Sequence, residues 1–477
     1  MELSLEEMRA LGHQAVEIIL EHLTSLPDRA VAQVASRAQA EAQLREPLPR
    51  TGSPWQTVLG KVQDDVLANV RHLDHPRFLA LVPGPSNFVS VIADLLASGL
   101  NVFTGTWVEA SGPAAVELVA IDWLREACGL PADAGGVFTS GGSMANLTAL
   151  AVARDVQPQG RDRRATFYFS DQTHRTVDRA LAVLGFGEEQ VRMLPSDDRG
   201  RLVVSSLVQA LDAAPEEDRH PLCVVANAGT TNTGAVDPLE EIAAVCRQRG
   251  LWLHVDGAYG AAAAFSSAAR PQLAGLHQAD SITLDPHKWL FQPYEMGCVL
   301  VRDRHALSRC FRLLPEYMQD VAPGLEEVNF CDYGLQLSRR FNALKLWMSL
   351  KVFGADAFEE AIDHGVALAE SAEEILAASP GWEIVTRAQL GVVTFRYAPE
   401  GPRSTVDRLQ KEIAARVTAE GYAVVTTTRF GGRTVLRLCT INPRTTMADV
   451  AEVLRRLKSH GREASSQEGP SVGGREA

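Results

Sequence analysis

No two of the seven cysteines, at 128, 223, 246, 298, 310, 331 and 439, form a CxxC pair, and their number is odd. Such spacing argues against a zinc site and a disulfide framework, and for the reduced thiols of a cytoplasmic protein. Positive charge is not in excess either. A net charge of −13 excludes an extended nucleic-acid footprint or an anionic membrane partner. No uninterrupted apolar run approaches membrane-spanning length, and the acidic, amphipathic start Met-Glu-Leu-Ser-Leu-Glu-Glu-Met is no conventional signal peptide. There is no internal repeat. What is present is an ordinary globular composition over 477 residues, long enough for two or three domains and a large core.

The first 45 residues have the pattern of one or two amphipathic helices; Pro47, Pro49 and Pro54 then break the chain before a further helical stretch expected over 55–73. Residues 1–75 therefore form a helical N-terminal segment. From 76 to 354, short apolar runs at 136–139, 166–170, 222–226, 252–255, 281–284 and 298–301 alternate with helical stretches. That alternation predicts a large α/β domain with a mostly parallel sheet covered on both faces. Asp237, Pro238 and Gly250 mark one helix, as N-cap, first-turn proline and C-terminal stop. Residues 355–460 predict a small α+β domain, with helices over 355–378, 404–420 and 447–460 and strands at 382–385, 391–397, 422–429 and 433–441. Residues 461–477, rich in Gly, Ser and Glu without periodicity, read as a disordered tail.

Chemistry concentrates at the ends of four of these runs. In Ser281-Ile-Thr-Leu-Asp-Pro-His-Lys288-Trp, a strand stops at a proline-broken turn that presents His287 and Lys288 together. A lysine there, its pKa lowered by desolvation and a cationic neighbour, suits a Schiff-base role. The run Gly135 to Asn146 turns through Ser140-Gly-Gly-Ser143 into a helix, an anion site suited to phosphate, with neither the GxxxxGK spacing of a P-loop nor the GxGxxG of dinucleotide folds. Asp256, in Trp252-Leu-His-Val-Asp-Gly-Ala258-Tyr, puts a carboxylate at a buried strand end, where a cation such as a protonated pyridine would compensate it. His174 lies just past the strand ending at Ser170 and offers a flat ring for stacking. Each piece alone fits a bland reading: a surface lysine, a glycine turn, a capping aspartate, a surface histidine. Together, at the edge where open α/β sheets hold ligands, they describe a site for pyridoxal 5′-phosphate (PLP).

At these residues the chain resembles the group II PLP-dependent amino acid decarboxylases, the family of the aromatic-L-amino-acid and glutamate decarboxylases. The Asp-Pro-His-Lys-Trp and His-Val-Asp-Gly-Ala-Tyr motifs carry the likeness, which extends to Leu436-Arg-Leu-Cys-Thr-Ile-Asn-Pro-Arg-Thr-Thr446. It implies the fold-type I architecture with a seven-stranded sheet, and a cytoplasmic homodimer with shared active sites in which residues 1–75 help dimerisation. By the same resemblance, Lys288 is the Schiff-base lysine, Asp256 the partner of the pyridinium nitrogen and His174 the stacking residue. Gly142, Ser143 and His287 match phosphate contacts, Thr231 a cofactor-proximal threonine and Ala258 the small residue on the opposite ring face. Tyr317 matches the loop tyrosine that protonates the substrate carbon across the dimer, and the polar stretch 319–329 with Pro323-Gly324 reads as a loop. No metal is implied.

The chain departs from its relatives at Asp285, where many have asparagine; a carboxylate would repel a phosphate dianion, so Asp285 is not expected to be its ligand. The stretch Leu81, Val82, Pro83 and Gly84, with Phe103 and Gly105, matches the substrate pocket but is reshaped and apolar. The expected reaction is decarboxylation of an L-amino acid, aromatic or apolar, to amine and CO2, because a distal carboxylate would need a fixed cation. Alternatives are a decarboxylase of the glutamate, aspartate or 2,4-diaminobutyrate type, a decarboxylation-dependent aldehyde synthase, a fold-type I transaminase or lyase, and a silent scaffold.

Overall fold

Seven strands form one sheet in the order β1 (Gly135–Thr139), β7 (Gly297–Val301), β6 (Ser281–Leu284), β5 (Trp252–Asp256), β4 (His220–Asn227), β2 (Ala165–Ser170) and β3 (Val191–Leu194). The computed structural model describes residues 2–213, 219–313, 327–399 and 402–467. Strands β3, β2, β4, β5 and β6 pair in parallel, while β7 runs antiparallel to both β6 and β1. Every residue of β1, β2, β5, β6 and β7 is buried, so these strands are apolar on both faces and read as continuous runs. β3 carries no such run in the sequence. It is a sheet edge of Val-Arg-Met-Leu in which only Leu194 is buried.

The helix after β4 is α9 (Leu239–Arg249), and Gly250 ends it in the left-handed region at φ +66°, its N–H returning to Cys246 O. Asp237 does not cap this helix. Pro238 occupies that position, and the Asp237 carboxylate turns inward to accept from the Leu202 and Asn227 N–H groups at 2.7 Å each and from Asn227 Nδ2 at 2.9 Å. Burial pushes its pKa up to about 6 against the pull of those donors.

At the N-terminus, α1 (Leu5–Ser25) starts at a Ser4–Glu7 capping box and has no buried residue. After α2 (Arg37–Leu44), α3 (Trp55–Lys61) runs into a π-helical turn, Val62–Leu67, and stops there, short of residue 73; Arg71 instead bridges to Ala32. The C-terminal part has its own core, including Leu368, Phe395, Ile413, Leu436 and Leu454. Its antiparallel sheet runs β10 (Thr426–Phe430), β11 (Arg433–Cys439), β9 (Val392–Tyr397), β8 (Trp382–Gln389). α12 (Ala355–Ala377), α13 (Arg403–Ala419) and α14 (Met447–Gln467) accompany it. α14 continues through residues 461–467, the first part of the expected tail, and buries Ala464; the remaining tail lies outside the described residues.

One buried ion pair ties α5 to the β1 edge of the seven-stranded sheet. Glu117, on α5 (Trp107–Ala127), receives both Arg339 guanidinium nitrogens, at 2.6 and 3.1 Å, and the Phe138 N–H of β1 at 3.2 Å. Arg339 also donates to Phe138 O, and its backbone carbonyl receives Thr104 N–H, which tethers the 103–105 turn. Glu117→Ala would leave that guanidinium buried without its partner. We expect a stability loss of about 3–5 kcal/mol, read from the urea midpoint; a loss within a few tenths would show that the pair is replaceable.

Candidate active site

The carboxyl ends of the parallel strands meet over a cavity of about 490 Å³. β5 delivers Asp256 to its floor, β6 leads into Asp285, His287 and Lys288, and β4 into Thr230 and Thr231. β2 leads to His174, and β1 to the Ser140–Gly142 turn. Register explains the convergence: Asn227, Asp256 and Thr283 are direct partners across β4, β5 and β6. Of the sequence-derived candidates, Lys288, Asp256, His174, Gly142, Ser143, Thr231, Ala258 and His287 all line this one cavity.

The turn after β1 needs its glycines. Gly141 has φ +147°, and a Cβ on it would lie 3.2 Å from the His287 ring; one on Gly142 would lie 2.7 Å from Asp285 Oδ2. Without those side chains, α6 (Gly142–Val156) begins directly on the cavity, where the Gly142 and Ser143 N–H groups have no intrahelical acceptor, while Met144 and Ala145 donate to Gly141 O. Asp256 is only 6% exposed; Oδ1 accepts from Ala258 N–H at 3.1 Å and Oδ2 from Asn146 Nδ2 at 3.0 Å. His174 Nδ1 lies 2.9 Å from Thr176 Oγ1, and its pKa is lowered by burial, partly countered by Asp256. His287 Nδ1 accepts from Met296 N–H at 3.0 Å. Burial, opposed by Asp285, takes its pKa down to about 4, so the neutral ring carries its proton on Nε2.

Lys288 differs from expectation. Its Nζ lies 2.9 Å from Asp285 Oδ2. Burial works to lower its pKa, but the charge and hydrogen bond of Asp285, then Asp256 and Tyr294, outweigh it and the net shift is upward. The neighbour that counts is thus an anion, not the cation inferred from the sequence. His287 is neutral, its pKa lowered to about 4. Asp285 itself is 2% exposed, and its Oδ1 has no hydrogen-bond partner among the described residues.

These residues fit PLP: a helix start stripped of Cβ atoms for a phosphate, a dry carboxylate for a protonated ring nitrogen, and an amine between them. The lining residues that the sequence does not single out include Asn146, Thr176, Asn227 and Tyr294. Asn146 stood in the glycine motif with no role attached. Tyr294 returns to the site through the turn after Lys288, with its ring 4.7 Å from that of His287, and no spacing rule announces it.

The expected substrate wall is dispersed in the single chain. Leu79 N–H and Leu81 O bond to Val424 and Arg437 of the C-terminal part, and Leu81 is exposed with φ +52°. Val82 is half-buried and Pro83 buried, and Gly84 does not line the cavity but backs on Tyr294, which does: a Cβ there would sit 2.5 Å from Tyr294 Oη. Phe103 and Gly105 pack by Leu337 and do not line the cavity. Tyr317 lies outside the described residues.

Residues 38–398 match the family model of the pyridoxal-dependent decarboxylase conserved domain. The chain is 47% identical over 468 residues to an aromatic-L-amino-acid decarboxylase of Bacillus atrophaeus, covering 98% of each. It is 32% identical to an L-2,4-diaminobutyrate decarboxylase of Acinetobacter baumannii, over 80% of this chain and 79% of the relative. Among solved structures, an Oryza sativa TDC with PLP and tryptamine superposes with a TM-score of 0.92 at 28% identity, covering 97% of this chain and 99% of that one.

The pairing of Lys288 with Asp285 can be tested in cofactor-stripped protein. Asp285→Asn leaves burial as the largest influence, so the amine should lose its proton at lower pH. The midpoint for acylation of the Lys288 peptide, followed by mass spectrometry, should fall by about one pH unit or more. An unmoved midpoint would mean that Asp285 does not hold the ammonium form.

Proposed function

The chain belongs to the pyridoxal-dependent decarboxylase family and is a PLP-dependent amino acid decarboxylase, and we propose that its substrate is an aromatic L-amino acid, converted to the corresponding amine and CO2. The observation that carries the substrate class is the lining of the cavity together with the 47% identity to an aromatic-L-amino-acid decarboxylase. No arginine lines it among the described residues, and its one lysine is Lys288. Arg77, the cation nearest the expected wall in sequence, points elsewhere: it donates to Pro27 and Tyr422 carbonyls and stacks on the Tyr422 ring at 4.4 Å. A glutamate side chain would therefore lose its hydration without a fixed counter-charge, whereas an aromatic ring loses little.

When bound, PLP supplies an aldehyde for amine exchange and a protonated ring that accepts the electron pair left as CO2 departs. The residues would divide the work of holding it. Lys288 would carry the amine that engages the aldehyde. Gly142, Ser143 and His287 would hold the phosphate with N–H and hydroxyl donors, with Thr231 beside the cofactor. The Asp256 carboxylate would keep a proton on the facing ring nitrogen, since a buried anion with two fixed donors favours a cationic partner. His174 and Ala258 would bound the two ring faces and keep water from them. Tyr317 would then deliver its hydroxyl proton to the substrate α-carbon. The presence of both His174 and Tyr317 favours amine over aldehyde as the product.

We further propose a cytoplasmic homodimer with the active sites shared between subunits. α1 supports this, being a 21-residue helix with no residue buried in the single chain. Residues 1–75, 76–354 and 355–460 would then serve as dimerising segment, cofactor domain and small domain.

Three outcomes are expected. A screen of aromatic, acidic and basic amino acids should give amine and CO2 preferentially from the aromatic set; preference for glutamate or 2,4-diaminobutyrate would overturn the substrate class. Lys288→Ala should lose the visible absorbance of the bound cofactor, and a borohydride-stable adduct at another lysine would reassign the amine. Tyr317→Phe should bind cofactor and substrate nearly as before. It should lose amine formation by about 10² or more, with aldehyde, ammonia and peroxide appearing when O2 is present. Unchanged amine output would remove Tyr317 as the proton donor.

A further inference from the structure

Asn146 sits on the buried face of α6, 1% exposed, and its side chain makes every hydrogen bond a primary amide can make. Nδ2 donates to Asp256 Oδ2 at 3.0 Å and to Thr176 Oγ1 at 3.1 Å. Oδ1 accepts from Thr283 Oγ1 at 2.6 Å and lies 3.0 Å from His254 Nε2. Asp256 sets the direction of the amide. A flipped amide would turn its oxygen toward a carboxylate and its NH2 toward the Thr283 hydroxyl and His254.

Once that direction is set, the protons around it follow. His254 must donate from Nε2, and its Nδ1 then accepts from Ser281 Oγ at 2.9 Å, which in turn receives Trp252 Nε1–H at 2.9 Å. Burial, only partly opposed by Asp256, lowers the His254 pKa to about 4, in keeping with a neutral ring. On the other side, Thr176 Oγ1 accepts from Asn146, so its own hydrogen is free to go to His174 Nδ1, 2.9 Å away. The Thr176 backbone N–H, which can only donate, also reaches that atom at 3.3 Å. Nδ1 of His174 is therefore an acceptor, and the proton of the neutral ring is on Nε2, which has no partner among the described residues.

We propose that Asn146 is the positioning residue of this site, holding Asp256 as an ionised acceptor and, through Thr176, fixing His174 as the Nε2–H tautomer on the cavity wall. Two residues assigned to opposite parts of the cofactor are thereby governed by one side-chain amide. The inference rests on the reading of Asp256 and His174 given above.

The test uses cofactor-loaded protein and three variants. Asn146→Leu keeps the approximate shape and removes both donors. The Asp256 carboxylate then loses the Nδ2–H donor on Oδ2 and keeps only the Ala258 N–H on Oδ1. The acid limb of the bound cofactor's visible absorbance should move up by about one pH unit. In the same variant kcat should fall roughly 10–100-fold, the size typical of losing a group that orients a site ligand, with KM held within about threefold. Thr283→Val removes a bond only on the carbonyl side of the amide and should leave the acid limb in place, whatever it does to stability. Thr176→Val removes the hydroxyl that joins Asn146 Nδ2 to His174 Nδ1, leaving His174 only the Thr176 backbone N–H, and keeps the bond from Asn146 to Asp256: the acid limb should stay, while kcat should fall by about tenfold. An acid limb shared by wild type and Asn146→Leu overturns the proposal. If Asn146→Leu does not fold, an unchanged kcat in Thr176→Val overturns it instead. Absence of visible cofactor absorbance in the wild type would be a failure of the cofactor reading, and is distinct from both.

Discussion

A carboxylate held out of water at the end of β5 is the constraint around which the rest of the cavity is organised. Asp256 cannot be left bare at 6% exposure, because an unpaired buried charge costs several kcal/mol. Its two oxygens are met by Ala258 N–H and Asn146 Nδ2. The second of these donors commits α6 to lie against the strand ends, with Asn146 inward and the glycine turn at its start. One buried anion thus positions both the floor of the cavity and the helix start at its rim.

The charge pattern follows from the same economy. Lys288 stands between two carboxylates, hydrogen-bonded to Asp285 and within electrostatic reach of Asp256, while both cavity-lining histidines have lowered pKa values. A ligand with a cationic ring at one end and an anionic group at the other matches that layout. Its ring nitrogen would meet Asp256, its anion the α6 start and His287, and its aldehyde the Lys288 amine. Asp285, which would otherwise repel an anion, is compensated by Lys288 at 2.9 Å and lies 3.7 Å from His287 Nε2.

Much of this was readable in the one-dimensional pattern, for specific reasons. The buried parallel strands announce themselves because they are apolar on both faces, and each ends at or one residue before a polar residue where the backbone leaves the sheet. Edge strand β3 does not, since an edge with one buried residue in four looks like any polar loop. Asp237 carries the signature of a cap, an Asp before a Pro, and only the fold reveals that the N–H groups of Leu202 and of Asn227, at the end of β4, compete for it. The continuation of α14 to Gln467 was equally hidden, because a polar helix end is held by packing that composition does not express.

The sequence by itself determined which chemical groups reach the sheet edge, since strand ends and the turns after them are local properties of hydrophobic runs and breakers. It also determined the family, through motifs whose residues are contiguous. Only the tertiary structure decided how those groups act on one another. The upward shift of Lys288, the saturation of Asn146 and the approach of Tyr294 to Gly84 depend on distances of about 3 Å between residues tens to hundreds of positions apart, or across a turn. Proton affinity and hydrogen-bond direction fall off steeply with distance and burial, so they are fixed by packing, not by the order of residues.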